Sequence, residues 1–149
     1  MYRSVDELLA YAHQTSPKVY RPFIMTEYLH TMGNSGGGLK EYMEVFESEP
    51  VVQGGCIWDW VDQSFREVDA HGKWYWAYGG DYGPENIPSF GNFCCNGLVN
   101  AVREPHPHLK EVKKAYQYIK CTLKDPKNLT IAIKNWYDFT NLNAYVLKW

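Results

Sequence analysis

Two short apolar runs, "PFIMT" at residues 22–26 and "VVQGGCIWDW" at 51–60, constrain the fold more than any other feature of this chain. Neither alternates polar with apolar residues, and continuous runs of this length are the pattern of strands covered on both faces. Residues 27–50 between them form no hairpin-sized loop. They hold a glycine-rich turn at 33–38, then Leu39, Tyr42, Met43 and Phe46 at helical spacing, until Pro50 stops the helix. Ahead of the first run, Ser4-x-x-Glu7 has the form of a capping box, with Val5, Leu8, Leu9 and Ala12 behind it, which predicts a helix over about 4–14. The order helix, strand, helix, strand is that of parallel βα units.

Residues 61–106 show little periodicity, many glycines and prolines and dense aromatics, and they read as one long loop, a feature usually tied to function. Pro107 stands where a first helical residue belongs, and Leu109, Val112 and Tyr116 predict a helix to about 118. The texture then changes. "YIKCTL", "NLTIAIKN" after the Asp125-Pro126 turn, and "NAYVLKW" alternate with period two, as antiparallel strands with one wet face do. Such a sequence opens a β-sandwich but closes neither a parallel barrel nor a sandwich, so we read the chain as part of a larger protein.

Composition narrows the partners. With 15 Lys and Arg against 17 Asp and Glu, the net charge is −2, and no basic face is offered to nucleic acid or an anionic membrane. No apolar run reaches the eighteen residues of a spanning helix and no signal peptide is visible, which leaves the compartment open between cytoplasm and periplasm. Cys56, Cys94, Cys95 and Cys121 lack the spacing of a zinc site and read as reduced, mostly buried small hydrophobes. Aromatics make up 16% of the chain and suit either a large core or platforms for flat ligands such as sugar faces.

Chemistry concentrates where the strands run out, since parallel α/β folds gather ligands at the carboxyl ends of their strands. Glu27 ends the first apolar run and Trp58 lies near the end of the second. A carboxylate held rigidly there suits the nucleophile of glycoside hydrolysis; a surface glutamate paired with Arg21 is the bland alternative, and position leaves both open. His30 is placed to reach the same pocket or to be a satisfied loop histidine. Trp58 can floor a sugar pocket, whereas Trp60, Asp59 and Asp62 fit a packed strand end. "WAYGGDYG" at 76–83 reads as a tight turn. Asn96 in "FCCNGLV" can offer an amide oxygen to a hard cation or a hydroxyl. His106 and His108 flank Pro107 as helix-entry residues. Asn128-x-Thr130 matches a glycosylation sequon, and "GNSGGG" lacks the lysine of a phosphate-binding loop.

Taken together, "TEYLHTMGNS", "QGG-x-x-WDWVDQ", "YGGDYG", "NGLV" and "R-x-PHP", in this order, resemble the carboxyl-terminal part of the catalytic (β/α)8 barrel of family 2 glycoside hydrolases of the β-galactosidase type. The resemblance covers about residues 1–118. Residues 119–149 resemble the truncated start of the immunoglobulin-like β-sandwich domain that follows that barrel. The implied fold is α/β: the last βα units of the barrel, then the first sandwich strands.

The resemblance implies that Glu27 is the nucleophile of a retaining reaction on terminal β-D-galactosyl residues, through a covalent glycosyl-enzyme intermediate. His30 and Trp58 match sugar-contacting residues. Asn96, by its side chain, and Phe93, by its backbone carbonyl, match ligands of a sodium ion that also touches the sugar. Arg103 and "PHP" match the entry to the last barrel helix. The family's acid/base glutamate and magnesium ligands have no counterpart here, and no motif puts Asp59, Asp62 or Asp81 in the acid role, so the chain alone is expected to be inactive. The expected partners are a β-galactoside and the remainder of the parent chain, the parent being a homo-oligomer, with no nucleic acid and no membrane. A non-catalytic carbohydrate-binding module, or a related glycosidase such as a β-glucuronidase, is the alternative reading.

Overall fold

The computed structural model describes residues 1–148 and divides into two compact units, one over Met1–Ala115 and a second beginning at Tyr116. In the first unit, helix α1 (Val5–Ala12) starts on the capping box its sequence predicts. The Ser4 hydroxyl accepts the Glu7 N–H at 3.2 Å and the Glu7 carboxylate accepts the Ser4 N–H at 2.8 Å. Strand β1 (Phe23–Tyr28) runs parallel to β2 (Val52–Ile57), with Phe23 opposite Val52 and Met25 opposite Gly55, and helix α2 (Leu39–Ser48) lies between them in sequence. Helix α3 (His108–Ala115) follows the long middle segment.

The core of this unit joins Leu8 of α1, Met25 and Tyr28 of β1, Leu39 and Val45 of α2, Val52 of β2, Leu98 of the middle segment and Val112 of α3. Each such side chain stabilises the fold by roughly 1.5–3 kcal/mol when fully buried. Gly55 matters to this packing: a Cβ there would come within 2.9 Å of the Tyr28 ring and 3.0 Å of the Met25 Cβ, so the glycine lets Tyr28 lie against the strand pair.

The expectation of strands buried on both faces is corrected. Met25 and Tyr28 are buried, but Ile24 is 58% exposed and Thr26 is exposed, because among the described residues only one face of the β1–β2 pair is covered. None of the four cysteines is buried either: Cys56 and Cys121 are exposed and Cys94 and Cys95 are half-buried, all as free thiols.

The middle segment is not one loop. Strands β3 (Phe65–Val68) and β4 (Trp74–Ala77) form an antiparallel hairpin, Phe65 opposite Ala77 and Val68 opposite Trp74. Its turn is built by Asp69, whose carboxylate accepts the N–H groups of His71 and Lys73 at 2.9 Å, and by Gly72 at φ +79°. The strands escape a periodicity test because both faces mix aromatic and charged residues. Short 3-10 turns follow at Gly79–Asp81, where "WAYGGDYG" predicts a tight turn, and at Gly91–Cys94.

In the second unit, β5 (Ile119–Asp125) pairs antiparallel with β6 (Thr130–Asn135). The predicted third strand at "NAYVLKW" does not form among the described residues: Leu142–Ala144 is a 3-10 turn and residues 145–148 have no regular structure, Trp149 lying outside the description. Nor is the hairpin wet on one face only, since Leu123, Ile131 and Ile133 are all exposed.

Candidate active site

Three chain segments are tied together just beyond the carboxyl ends of β1 and β2. The Trp58 N–H donates to the Tyr28 carbonyl at 3.0 Å, and the Trp58 carbonyl accepts the Thr31 N–H at 2.9 Å. The third segment, 96–99, is laid alongside 59–62: Asp59 N–H donates to the Asn96 carbonyl at 2.8 Å, and Asp62 N–H to the Val99 carbonyl at 2.9 Å. Buried Thr31 adds a short hydroxyl bond to the Asn96 carbonyl. Asp62 locks the junction, its carboxylate accepting the Gly97 N–H at 2.7 Å and facing His106 Nε2 at 2.8 Å. Gly97 has no alternative, because a Cβ there would overlap the backbone of Val61 and Asp62.

Glu27, next to last in β1, is held at its backbone by Tyr2: its carbonyl accepts the Tyr2 N–H at 2.9 Å. Partial burial, then the nearby Glu27 carboxylate and the charge of Asp59, push the Tyr2 phenol up to about 12. The Tyr2 ring stands 6.2 Å from that of His30.

His30 sits two residues past the strand. Ser35 anchors its backbone, donating its hydroxyl to the His30 carbonyl at 2.6 Å and accepting the Met32 N–H at 2.8 Å. The His30 ring lies 5.1 Å from the Phe93 ring at 30°, and its Nε2 is 3.3 Å from the Asn96 side-chain amide nitrogen. That amide also donates to the Phe93 carbonyl at 2.9 Å. Asn96 is buried, and its Oδ1 has no hydrogen-bond partner among the described residues. An unpaired buried acceptor costs about 1–3 kcal/mol, so this oxygen is held ready for a donor or a cation.

Trp58, Phe93 and Asn96 line one cavity of about 540 Å³, together with Gln63, Ile87 and Phe90. Thus His30, Trp58, Phe93 and Asn96 are brought together, while Glu27 stands outside that lining. The peptide between Trp58 and Asp59 is cis.

The remaining acids serve the backbone. Asp59 accepts the Gln63 amide at 2.9 Å, Asp62 holds Gly97 and His106, and Asp81 accepts the Tyr78 N–H at 2.9 Å within its turn. His106 is thereby more than a helix-entry residue. Among the described residues no group of three His, Cys, Asp or Glu side chains could hold a metal ion, and no helix is long and apolar enough to cross a membrane.

Sequence reasoning missed Tyr2, Thr31 and Ser35. A Ser three residues after Met32 carries a weak turn signal, but nothing local to Tyr2 or Thr31 marks them, since their partners lie 25 and more residues away.

The sequence pattern of "Glycosyl hydrolases family 2, TIM barrel domain" matches residues 1–121. The chain belongs to glycosyl hydrolase family 2. Its parallel β1–β2 pair, with α1 and α2 on one face, is part of the barrel of that family, and the open face of β1 is one that further strands of a barrel cover. Among similar family members, a β-galactosidase of Priestia megaterium is 48% identical over 129 residues, covering 87% of this chain and 12% of the relative. "Beta-galactosidase 2" of Enterobacter cloacae is 44% identical over 133 residues, 89% of this chain and 13% of the relative. A β-galactosidase of Yersinia pestis is 45% identical over 133 residues, with 89% and 12% covered. The chain thus spans about an eighth of the length of these relatives.

Proposed function

We propose that this chain is the nucleophile-bearing part of a retaining β-galactosidase. The observation that carries the reading is Glu27 at the carboxyl end of β1, its backbone held by Tyr2, whose ring stands 6.2 Å from His30 of the cluster of His30, Trp58, Phe93 and Asn96. In this reading Glu27 attacks the anomeric carbon of a terminal β-D-galactosyl residue as a second carboxyl group protonates the departing oxygen. Water then releases the sugar from the covalent ester with net retention. Trp58 supplies an apolar wall for the sugar face, and His30 and Asn96 take hydroxyls.

A retaining pair needs its carboxyl groups about 5–5.5 Å apart. Asp59, Asp62 and Asp81 are each committed to local hydrogen bonds, so the acid/base group comes from the remainder of the parent chain and the isolated chain does not turn over substrate. Asn96 Oδ1 and the Phe93 carbonyl are oxygen donors of the kind a sodium ion takes, and the unpaired Oδ1 fits that role. A sodium ion held there would supply a fixed positive charge for a sugar hydroxyl. Magnesium has no donor set among the described residues, and no step is assigned to it. Residues 119–149 are read as the truncated start of a β-sandwich domain, and the parent as a homo-oligomer.

Incubation with a 2-deoxy-2-fluoro-galactosyl fluoride, followed by intact mass and peptide mapping, tests the assignment. Glu27 is expected to carry the adduct once the missing amino-terminal part is added back. A parent enzyme that is labelled on any other carboxylate sinks it.

A further inference from the structure

The peptide that joins Asn96 to Gly97 is clamped at both of its polar groups. Its carbonyl accepts the Asp59 N–H at 2.8 Å and the Thr31 hydroxyl, and its N–H donates to Asp62 Oδ1 at 2.7 Å. Gly97 is buried against the backbone of Val61 and Asp62, so taking away the Asp62 carboxylate strips a buried N–H of its acceptor. Asp62 is in turn held from its other side. Its Oδ2 lies 2.8 Å from His106 Nε2, and since a carboxylate only accepts, that nitrogen carries the hydrogen. His106 is tied to the segment it braces, because its own N–H donates to the Leu98 carbonyl at 3.0 Å. Only 12% of the Asp62 side chain is exposed, which leaves water little access to compete for these bonds.

We propose that Asp62 and His106 are positioning residues that aim the Asn96 side chain into the galactose site, an inference that rests on the galactosidase reading above. With the 96–97 peptide plane pinned, the Asn96 side chain hangs from a backbone that cannot turn, and the backbone angles restrict its rotamers. Its Nδ2 is spent on the Phe93 carbonyl at 2.9 Å, so Oδ1 is presented in one orientation as the acceptor left over among the described residues. Asp62 and His106 line a cavity of about 650 Å³ with Thr31 and Ser35, separate from the one that holds Trp58, Phe93 and Asn96. They act on the sugar through Asn96. Asn96 takes a hydroxyl or its counter-ion and not the reacting atoms, so the contact is made equally before and during the reaction. Its loss weakens binding and leaves kcat in place.

The test measures, in the parent enzyme, the Kd of a non-hydrolysable thio-β-galactoside beside kcat and KM for an aryl β-galactoside. Asp62→Ala should raise Kd and KM by about tenfold to a hundredfold with kcat little changed. Asp62→Asn, which keeps an acceptor for the Gly97 N–H, should recover both. His106→Ala should act in the same direction, and His106→Gln, which keeps an N–H donor, should reverse it; this pair carries the test if Asp62→Ala does not fold. Val112→Ala, in the buried core of α3, is the structural control and should lower the melting temperature while leaving Kd unchanged. A sugar-free readout separates the proposal from the reading it rests on: hydrogen exchange of the Gly97 amide in the unliganded enzyme should quicken on the order of tenfold in Asp62→Ala and His106→Ala. A wild-type enzyme that binds no galactoside sinks the galactosidase reading, and exchange then decides whether the pair holds the Asn96–Gly97 peptide. Unchanged Kd or exchange in the alanine variants, a fall in kcat at constant KM, or an equal rise of Kd in Val112→Ala overturns the proposal.

Discussion

Asn96 and Gly97 show how two adjacent residues divide the work of a site. Asn96 turns a buried amide toward His30 and the Phe93 carbonyl, and Gly97 permits it by lying flat on the backbone of Val61 and Asp62. The clash that a methyl group would meet at Gly97 is with main chain, which has no rotamer to escape into. Gly97→Ala should therefore cost about 3 kcal/mol, the upper part of the range for overpacking. Gly37→Ala, where nothing lies within 4 Å and φ is not positive, should be near neutral. Paired urea denaturation curves check this, and equal midpoints for the two variants would refute the close approach. Glu27, His30, Trp58 and Asn96 could be singled out as candidates because strand ends and amide-bearing loops are local signals, and Phe93 through the family resemblance. Tyr2, Thr31 and Asp62 could not be given their partners in advance, because each bond spans residues far apart in sequence.

At the scale of elements, the β5–β6 turn shows a charge holding a connection. The Asp125 carboxylate accepts the N–H groups of Lys127 at 2.9 Å and Asn128 at 3.2 Å, and the Asn128 side-chain amide at 2.6 Å. The Asn128 side chain, then the Asn128 and Lys127 backbone, lower its pKa below the ordinary 3.8. A lowered carboxylate stabilises the folded turn above the unfolded value and loses that contribution as pH falls through the folded one. The Lys127 and Asn128 amide resonances should thus titrate with a midpoint below the ordinary 3.8. A midpoint at or above 3.8 would contradict the turn geometry. The helices and both parallel strands were legible because capping and apolar spacing are repeated signals over many residues. The β3–β4 hairpin was not, since four-residue strands with aromatics on both faces carry no period, although Asp69 and Gly72 mark its turn.

For the molecule as a whole, uncovered apolar surface is the dominant fact. Ile24 on β1, Phe65 and Trp74 on the β3–β4 hairpin, and Leu123 and Ile131 on β5–β6 are each at least half exposed, and two-stranded pairs are marginal without a covering layer. The isolated chain is expected to self-associate at micromolar concentration, with sedimentation velocity showing species larger than 17.3 kDa. A sharp monomer boundary across that range would show that these faces need no cover. What the sequence determined by itself was the order of helix and strand, the glycines that close packing demands and the family, because apolar spacing, caps and ordered motifs are written along the chain. What only the tertiary structure decided was which groups meet: the Tyr2 backbone on that of Glu27, Asn96 against His30, and Asp62 on Gly97 and His106. Those depend on distances between residues remote in sequence, which no local pattern encodes.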